Sequence, residues 1–326
     1  MSAAQNRGPE LMAIQSVFLV AAWVATGLRA YVKLAITRDH TVDDGVMYLS
    51  TLLYSAYAAA ALVGIIKGGI GRHTSDLDSD SIVVALQIWY TCEILFAFIS
   101  ALVRTSICLF MLRVFTHGMP RIILRGAIVT VWISSIVYLF IIVFQCNPPR
   151  YYWAQFEGAS GSCRPASLVP NATIVHSVVA AFSDWIIGIL PLSKLWKLQM
   201  PRAKKMPLVF FFGVGTIAGM IMIVRIPYLK VLEISADFLY QTVNVALLSL
   251  VEPSIGIVAG CIATLRPLKF CSCVWKSKSR LRTRSSRGAS TIPPDGIRVK
   301  HEICVSRSKV PIELKDSGIR QPASGW

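Results

Sequence analysis

Residues 122–145 read IILRGAIVTVWISSIVYLFIIVFQ, and beyond Arg125 this stretch carries no charged side chain. A run of about 20 mainly apolar residues, rising 1.5 Å each as a helix, crosses the hydrocarbon core of a bilayer. Six further apolar stretches, at roughly 11–35, 45–66, 84–112, 172–195, 206–228 and 239–264, make seven in all. An apolar fraction of 54% against a charged fraction of 15% suits helices that face lipid. In hydrocarbon every backbone polar group must find its partner within the segment, so the expected fold is an all-α membrane protein, a seven-transmembrane helix bundle over 11–267.

The formal net charge of +16 could point to nucleic acid, but its placement argues otherwise. Lys33 and Arg38 follow the first span, Arg113, Arg121 and Arg125 surround the connection after the third, and Lys194, Lys197, Arg202, Lys204 and Lys205 follow the fifth. The alternate connections carry few cations and more acids, among them Asp76, Asp78, Asp80, Glu157, Glu233 and Asp237. Lys and Arg near span ends are retained in the cytoplasm, so the N-terminus is expected outside and the C-terminus inside. Residues 1–10, a short extracellular N-terminus in this reading, lack the basic n-region of a signal peptide, and no cleavage is expected.

After Pro267 the composition turns basic and serine-rich, and residues 268–326 read as a disordered cytoplasmic tail. Its cations, from Lys276 to Arg287, suit an anionic leaflet, and no recognition module for nucleic acid accompanies them. Ser285 and Ser286, beside Arg284 and Arg287, are candidate phosphorylation sites whose modification would subtract charge from that attachment. Cys271 and Cys273 lie just inside the last span beside basic residues and are candidates for palmitoylation.

Of the eight cysteines, Cys146 and Cys163 share the outer connection between spans four and five, the compartment where disulfides persist. They are the favoured pair, with Cys92 in the third span as the competing partner for either. Cys108 and Cys261 read as small core residues. Asn171-Ala172-Thr173 is a formal glycosylation acceptor at the mouth of the fifth span.

An ionisable group inside a span is costly unless paired or hydrated, which makes Glu93, Arg104, Asp184, Arg225 and Glu252 the candidate polar interior and ligand cavity. Matching depths suggests one pair of Glu93 with Arg225 and a second cluster of Arg104 with Asp184 or Glu252. Such groups either lock the bundle or line a cavity and exchange partners when a ligand binds.

The order of motifs resembles the fungal rhodopsin-domain family of integral membrane proteins. The run Arg29-Ala30-Tyr31-Val32-Lys33 followed by Asp43-Asp44 is similar to that family's basic, aromatic run and paired acids. Further matches are Arg104 to Phe115, the Gln145-Cys146-Asn147-Pro148 segment with Trp153 and Cys163, and Asp184 with Leu190-Pro191 and Leu195-Trp196. Gly213 to Arg225 and Glu252 to Pro267 complete the series. The resemblance implies seven helices and a receptor-like protein. Two departures stand out: the family usually places Lys where Arg104 stands, and about ten residues precede the first span, where some receptor-like relatives carry a cysteine-rich ectodomain. The Asp-Arg-Tyr and NPxxY motifs of rhodopsin-like animal receptors are missing as well, so coupling to a G protein has no motif behind it.

Retinal attachment needs a lysine in the last span, and 239–264 contains none, so no cofactor is expected. His40, His73, His117, His176 and His301 are scattered without metal-ligand spacing, and no nucleophile elbow exists, so an enzyme is not expected. The leading expectation is a receptor-like multi-pass protein of the plasma membrane that senses a small or lipophilic extracellular ligand and signals through its cytoplasmic loops and tail to a signalling protein. Trp89 and Tyr90 would border the entrance or anchor at the membrane interface. A transporter or channel using Asp184 and Glu252 is the alternative.

Overall fold

The computed structural model describes residues 6–115, 118–155, 158, 160–197, 213, 215–229 and 238–264. Its helices are α1 (Gly8–Tyr31), α2 (Val42–Ile66), α3 (Ser79–Val114), α4 (Met119–Val143), the single-turn α5 (Tyr151–Ala154), α6 (Leu168–Lys197), α7 (Gly215–Leu229) and α8 (Phe238–Thr264). Six are long and apolar enough to cross a bilayer: α1 with its continuation to Thr37, α2, α3, α4, α6 and α8. The sixth apolar stretch contributes α7, which is shorter within the described residues. This is an all-α, multi-pass membrane protein.

The surface confirms the solvent. In α4 only 28% of the apolar window is buried, and Val129, Ile133, Val137 and Phe140 face outward. The interior meanwhile holds Arg29, Asp43, Asp44, Arg104, Arg225 and Glu252. Exposed aliphatic faces around buried charge are stable only where lipid replaces water.

Local chemistry sets the helix ends. Pro9 and Pro120 stand in the first turns of α1 and α4, where the missing N–H is unneeded. The π-helical turn Val32–Thr37 extends α1 and stops at Arg38, whose φ of 52° is left-handed. Thr41 and Asp44 form a capping box that starts α2.

The core lies between α1, α2, α3 and α8, around Met47, Tyr54, Phe96, Ile99, Leu250 and Ile257, with Ala180 and Ala181 of α6 and Met222 of α7 joining it. α3 is the axis, packing on α2, α4 and α8. Gly256 permits its contact with α8, since a Cβ there would stand 2.7 Å from Val103 Cγ1. Gly215 likewise lets α7 approach the Asp184 carbonyl on α6. Between α4 and α6, β1 (Cys146–Asn147) and β2 (Ser162–Cys163) pair antiparallel in a small hairpin around α5. Pro148 follows a cis peptide bond at the end of β1.

Candidate functional site

Three of the five charges singled out within the spans converge in mid-bundle. Arg104 of α3 donates from Nε and Nη2 to the two carboxylate oxygens of Asp184 on α6, at 3.0 and 2.8 Å, a fork that matches the acid's geometry. The same Nη2 donates to Glu252 Oε1 of α8 at 2.8 Å. Arg104 Nη1 turns to the Ser100 carbonyl and hydroxyl, and that hydroxyl lies 3.4 Å from Glu252 Oε1. Sequence depth suggested Arg104 with Asp184 or Glu252; the structure joins it to both. Pro253, inside α8 beside Glu252, removes a backbone N–H at this level, and Tyr54 Oη donates to the nearby Leu250 carbonyl at 3.3 Å. A cavity of about 50 Å³ touches Ser100, Arg104, Asp184, Glu252 and Pro253.

Glu93 and Arg225 come near one another without an ion pair between them. Glu93 accepts from Trp89 Nε1 at 3.1 Å, and the Arg225 guanidinium lies over the Phe96 ring at 4.8 Å. Depth along the span placed both in one layer, but the rotation of each helix about its axis decides contact. Arg225 still acts electrostatically on Glu93, Tyr57, Tyr138 and His176.

A larger cavity, of about 510 Å³, opens beside Glu93 under the β1–β2 hairpin. Ile82, Leu86, Trp89 and Glu93 line it from one face of α3, Leu168, Val169 and Thr173 from α6, and Leu229 and Leu239 from α7 and α8. The hairpin closes over it with Cys146, Cys163, Tyr152 and Arg164. Cys146 and Cys163 form a disulfide, while Cys92, the competing partner, is a buried free thiol, as are Cys108 and Cys261. Tyr90 packs on Tyr152 and Trp153 at centroid distances of 6.0 and 5.5 Å, which ties the hairpin to α3. Burial pushes the Tyr152 phenol well above its ordinary range, with the Glu93 charge adding to the effect. Trp89 therefore lines the cavity, and Tyr90 stands behind it.

His176 stacks on Tyr138 at 4.7 Å, with Nδ1 3.4 Å from Ser134 Oγ, a packing role between α4 and α6. Asn171 is exposed in the first turn of α6, whereas the Thr173 hydroxyl of the same acceptor sequence is buried against Val169 and Tyr138. Cys271, Cys273, Ser285 and Ser286 lie outside the described residues.

One cluster was undervalued in the sequence. Arg29, only 1% exposed, binds Asp43 and Asp44 at 2.8 and 2.7 Å and the Gly260 carbonyl of α8 at 3.0 Å. Lys33 adds a contact to Asp44 at 2.9 Å, and Ser106 of α3 donates to the Asp43 carbonyl. The signal was present: a basic pair four residues apart closing one span, then adjacent acids opening the next.

α8 contains no lysine between Phe238 and Thr264, so its residues do not fit a retinal Schiff base and no chemistry is derived through that group.

The sequence profile of the fungal rhodopsin domain matches residues 28–269. A SAT4 family membrane protein of Emericella nidulans is 25% identical over 232 residues, covering 70% of this chain and 57% of that protein. The chain thus spans little more than half the length of that relative. A polyenoic acids biosynthesis gene cluster protein of Metarhizium anisopliae is 20% identical over 293 residues, 82% of this chain and 77% of its own. The profile takes in the Arg29 lock, the Arg104 cluster, the disulfide hairpin and α8 together, and on that breadth the chain belongs to the fungal rhodopsin domain family of integral membrane proteins.

Proposed function

We propose that this chain is a seven-helix, receptor-like protein of the plasma membrane that takes a small or lipophilic ligand from the extracellular side into the cavity beneath the disulfide hairpin. The observation that carries this reading is the cavity itself: about 510 Å³, with apolar walls and few polar groups, within the ordinary range for small-molecule sites. The orientation, N-terminus outside and C-terminus cytoplasmic, is supported by the Lys and Arg excess of alternate connections and by a disulfide at the same end as the cavity. Output would pass through the loop at 197–205 and the basic tail to a cytoplasmic signalling protein. The protein is not an enzyme in this reading.

Thermal-shift screening of small lipophilic compounds against wild type and Leu86→Trp, which narrows the cavity at its α3 wall, tests the proposal. Compounds that stabilise only wild type support it; shifts of equal size in both proteins refute it. The Arg104, Asp184 and Glu252 cluster favours transport as the second reading. Flux of a compound through sealed vesicles, lost in Asp184→Asn and Glu252→Gln, would establish that alternative in place of a receptor.

A further inference from the structure

The larger cavity is polarised along its length. Its α3 wall runs from Ile82 through Leu86 and Trp89 to Glu93, positions that share one helical face. At 1.5 Å per residue, Ile82 and Glu93 lie about 16 Å apart along the helix axis. Ile82, Leu86 and Leu239 are apolar parts of the wall, and Thr74, which precedes α3, adds a hydroxyl. Glu93 adds a carboxylate to which, among the described residues, one side chain donates, Trp89 Nε1 at 3.1 Å. Among the described residues no cation forms an ion pair with Glu93; the Arg225 guanidinium lies over the Phe96 ring and acts on Glu93 through space. Aromatic rings line the cavity as well, Trp89 and Tyr152 in the wall and Tyr90 packed behind Tyr152, together with the uncharged polar Gln145 and Thr173.

A carboxylate in an apolar, aromatic setting is stabilised by a positive partner, and ring faces attract cations further. An anionic head would meet repulsion from Glu93. Arg164, exposed in the hairpin, would repel a cation at the mouth and leave Glu93 as its stable position. Resting on the ligand-cavity reading above, we infer that the occupant is an elongated amphiphile with an alkylammonium head, primary or quaternary. The head sits at Glu93 between Trp89 and Tyr152, and the apolar tail runs along α3 toward Ile82.

The test uses the full chain in zwitterionic nanodiscs and three probes of equal chain length, octylammonium, octanol and octanoate, read by tryptophan fluorescence in wild type, Glu93→Gln and Leu86→Trp. Wild type is expected to bind octylammonium at least tenfold tighter than octanol, equivalent to about 1.4 kcal/mol. Glu93→Gln removes that preference and leaves octanol within about twofold. Equal affinity for octylammonium and octanol in wild type, or an undiminished preference in Glu93→Gln, overturns the inference. So does tighter binding of octanoate, which would assign the head to Arg225 instead. If Glu93→Gln fails to fold, the ranking of the three probes on wild type decides alone. Failure of all three to saturate wild type, with no difference from Leu86→Trp, overturns the ligand-cavity reading itself, whereas octanol binding without an ammonium preference overturns only the head group.

Discussion

Replacing Arg104 with Met removes the one cation that two carboxylates share in mid-bundle. The Arg104 side chain is 6% exposed, Asp184 12% and Glu252 3%, so solvent screens little of the interaction. Breaking a buried pair by deleting one partner costs about 3–5 kcal/mol. The upper half of that range applies here, because Arg104→Met leaves two like charges facing the same space where a neutral methionine now stands. At roughly 2–4 °C per kcal/mol for a chain of this order of size, the apparent Tm should fall by about 8–20 °C. Arg104→Lys keeps the charge but loses the fork onto Asp184, and should fall between wild type and Arg104→Met. Adding Asp184→Asn and Glu252→Gln to Arg104→Met removes the stranded charges and should recover most of the loss. The assay is thermal unfolding in mild detergent, followed by tryptophan fluorescence on protein of matched lipid content. An Arg104→Met variant as stable as wild type, or a triple variant no better than the single one, would refute the view that charge pairing holds α3, α6 and α8 together.

Other perturbations reach the remaining parts of the molecule. Arg29→Met strands Asp43, leaves Asp44 with Lys33 as its remaining cation, and should cost about 3–5 kcal/mol, measured by the same unfolding assay; Arg29→Lys should restore part of it. Cys146→Ser frees a hairpin closed over a sequence separation of 17, and in the chain-entropy model should lower stability by about 3 kcal/mol and weaken probe binding, while a non-reducing gel shows loss of the crosslink. Gly256→Leu drives side-chain atoms into Val103 and should destabilise by about 1–3 kcal/mol with loss of folded yield, whereas Gly126→Leu, at a glycine where an added Cβ meets open space, should do neither. Cysteines introduced singly at Ser160 and His40, exposed residues of connections expected on opposite faces, should separate with an impermeant thiol reagent, Ser160→Cys labelling in intact cells and His40→Cys only after permeabilisation; the reverse pattern, or labelling of both in intact cells, would reverse or break the proposed topology.

The spans were legible in the sequence because lipid imposes one simple demand, about 20 apolar residues in a row, and stretches such as 122–145 answer it without help from tertiary structure. The Arg104 cluster was partly legible for a related reason: depth along a helix follows from counting residues, and Arg104, Asp184 and Glu252 lie at compatible depths. Rotation does not follow from counting. Glu93 and Arg225 share a layer, yet Arg225 turns onto Phe96 and Glu93 onto Trp89, a choice made by how α3 and α7 pack. The 510 Å³ cavity was not visible either, since it is the space left between a hairpin and four helices whose approach depends on every residue at their contacts. Arg29 and Asp44 were readable as opposite charges flanking a short connection, but nothing in their order announces that the guanidinium turns inward and reaches the Gly260 carbonyl of α8.

The claim that the cavity under the hairpin is a ligand site is tested most directly by native mass spectrometry of wild type and Leu86→Trp, each extracted from its own membrane in the same mild detergent. Wild type is expected to carry an organic molecule of defined mass that Leu86→Trp lacks, and saturating octylammonium should displace it. Identical spectra for the two folded proteins, with no bound mass in either or the same mass in both, would contradict the claim.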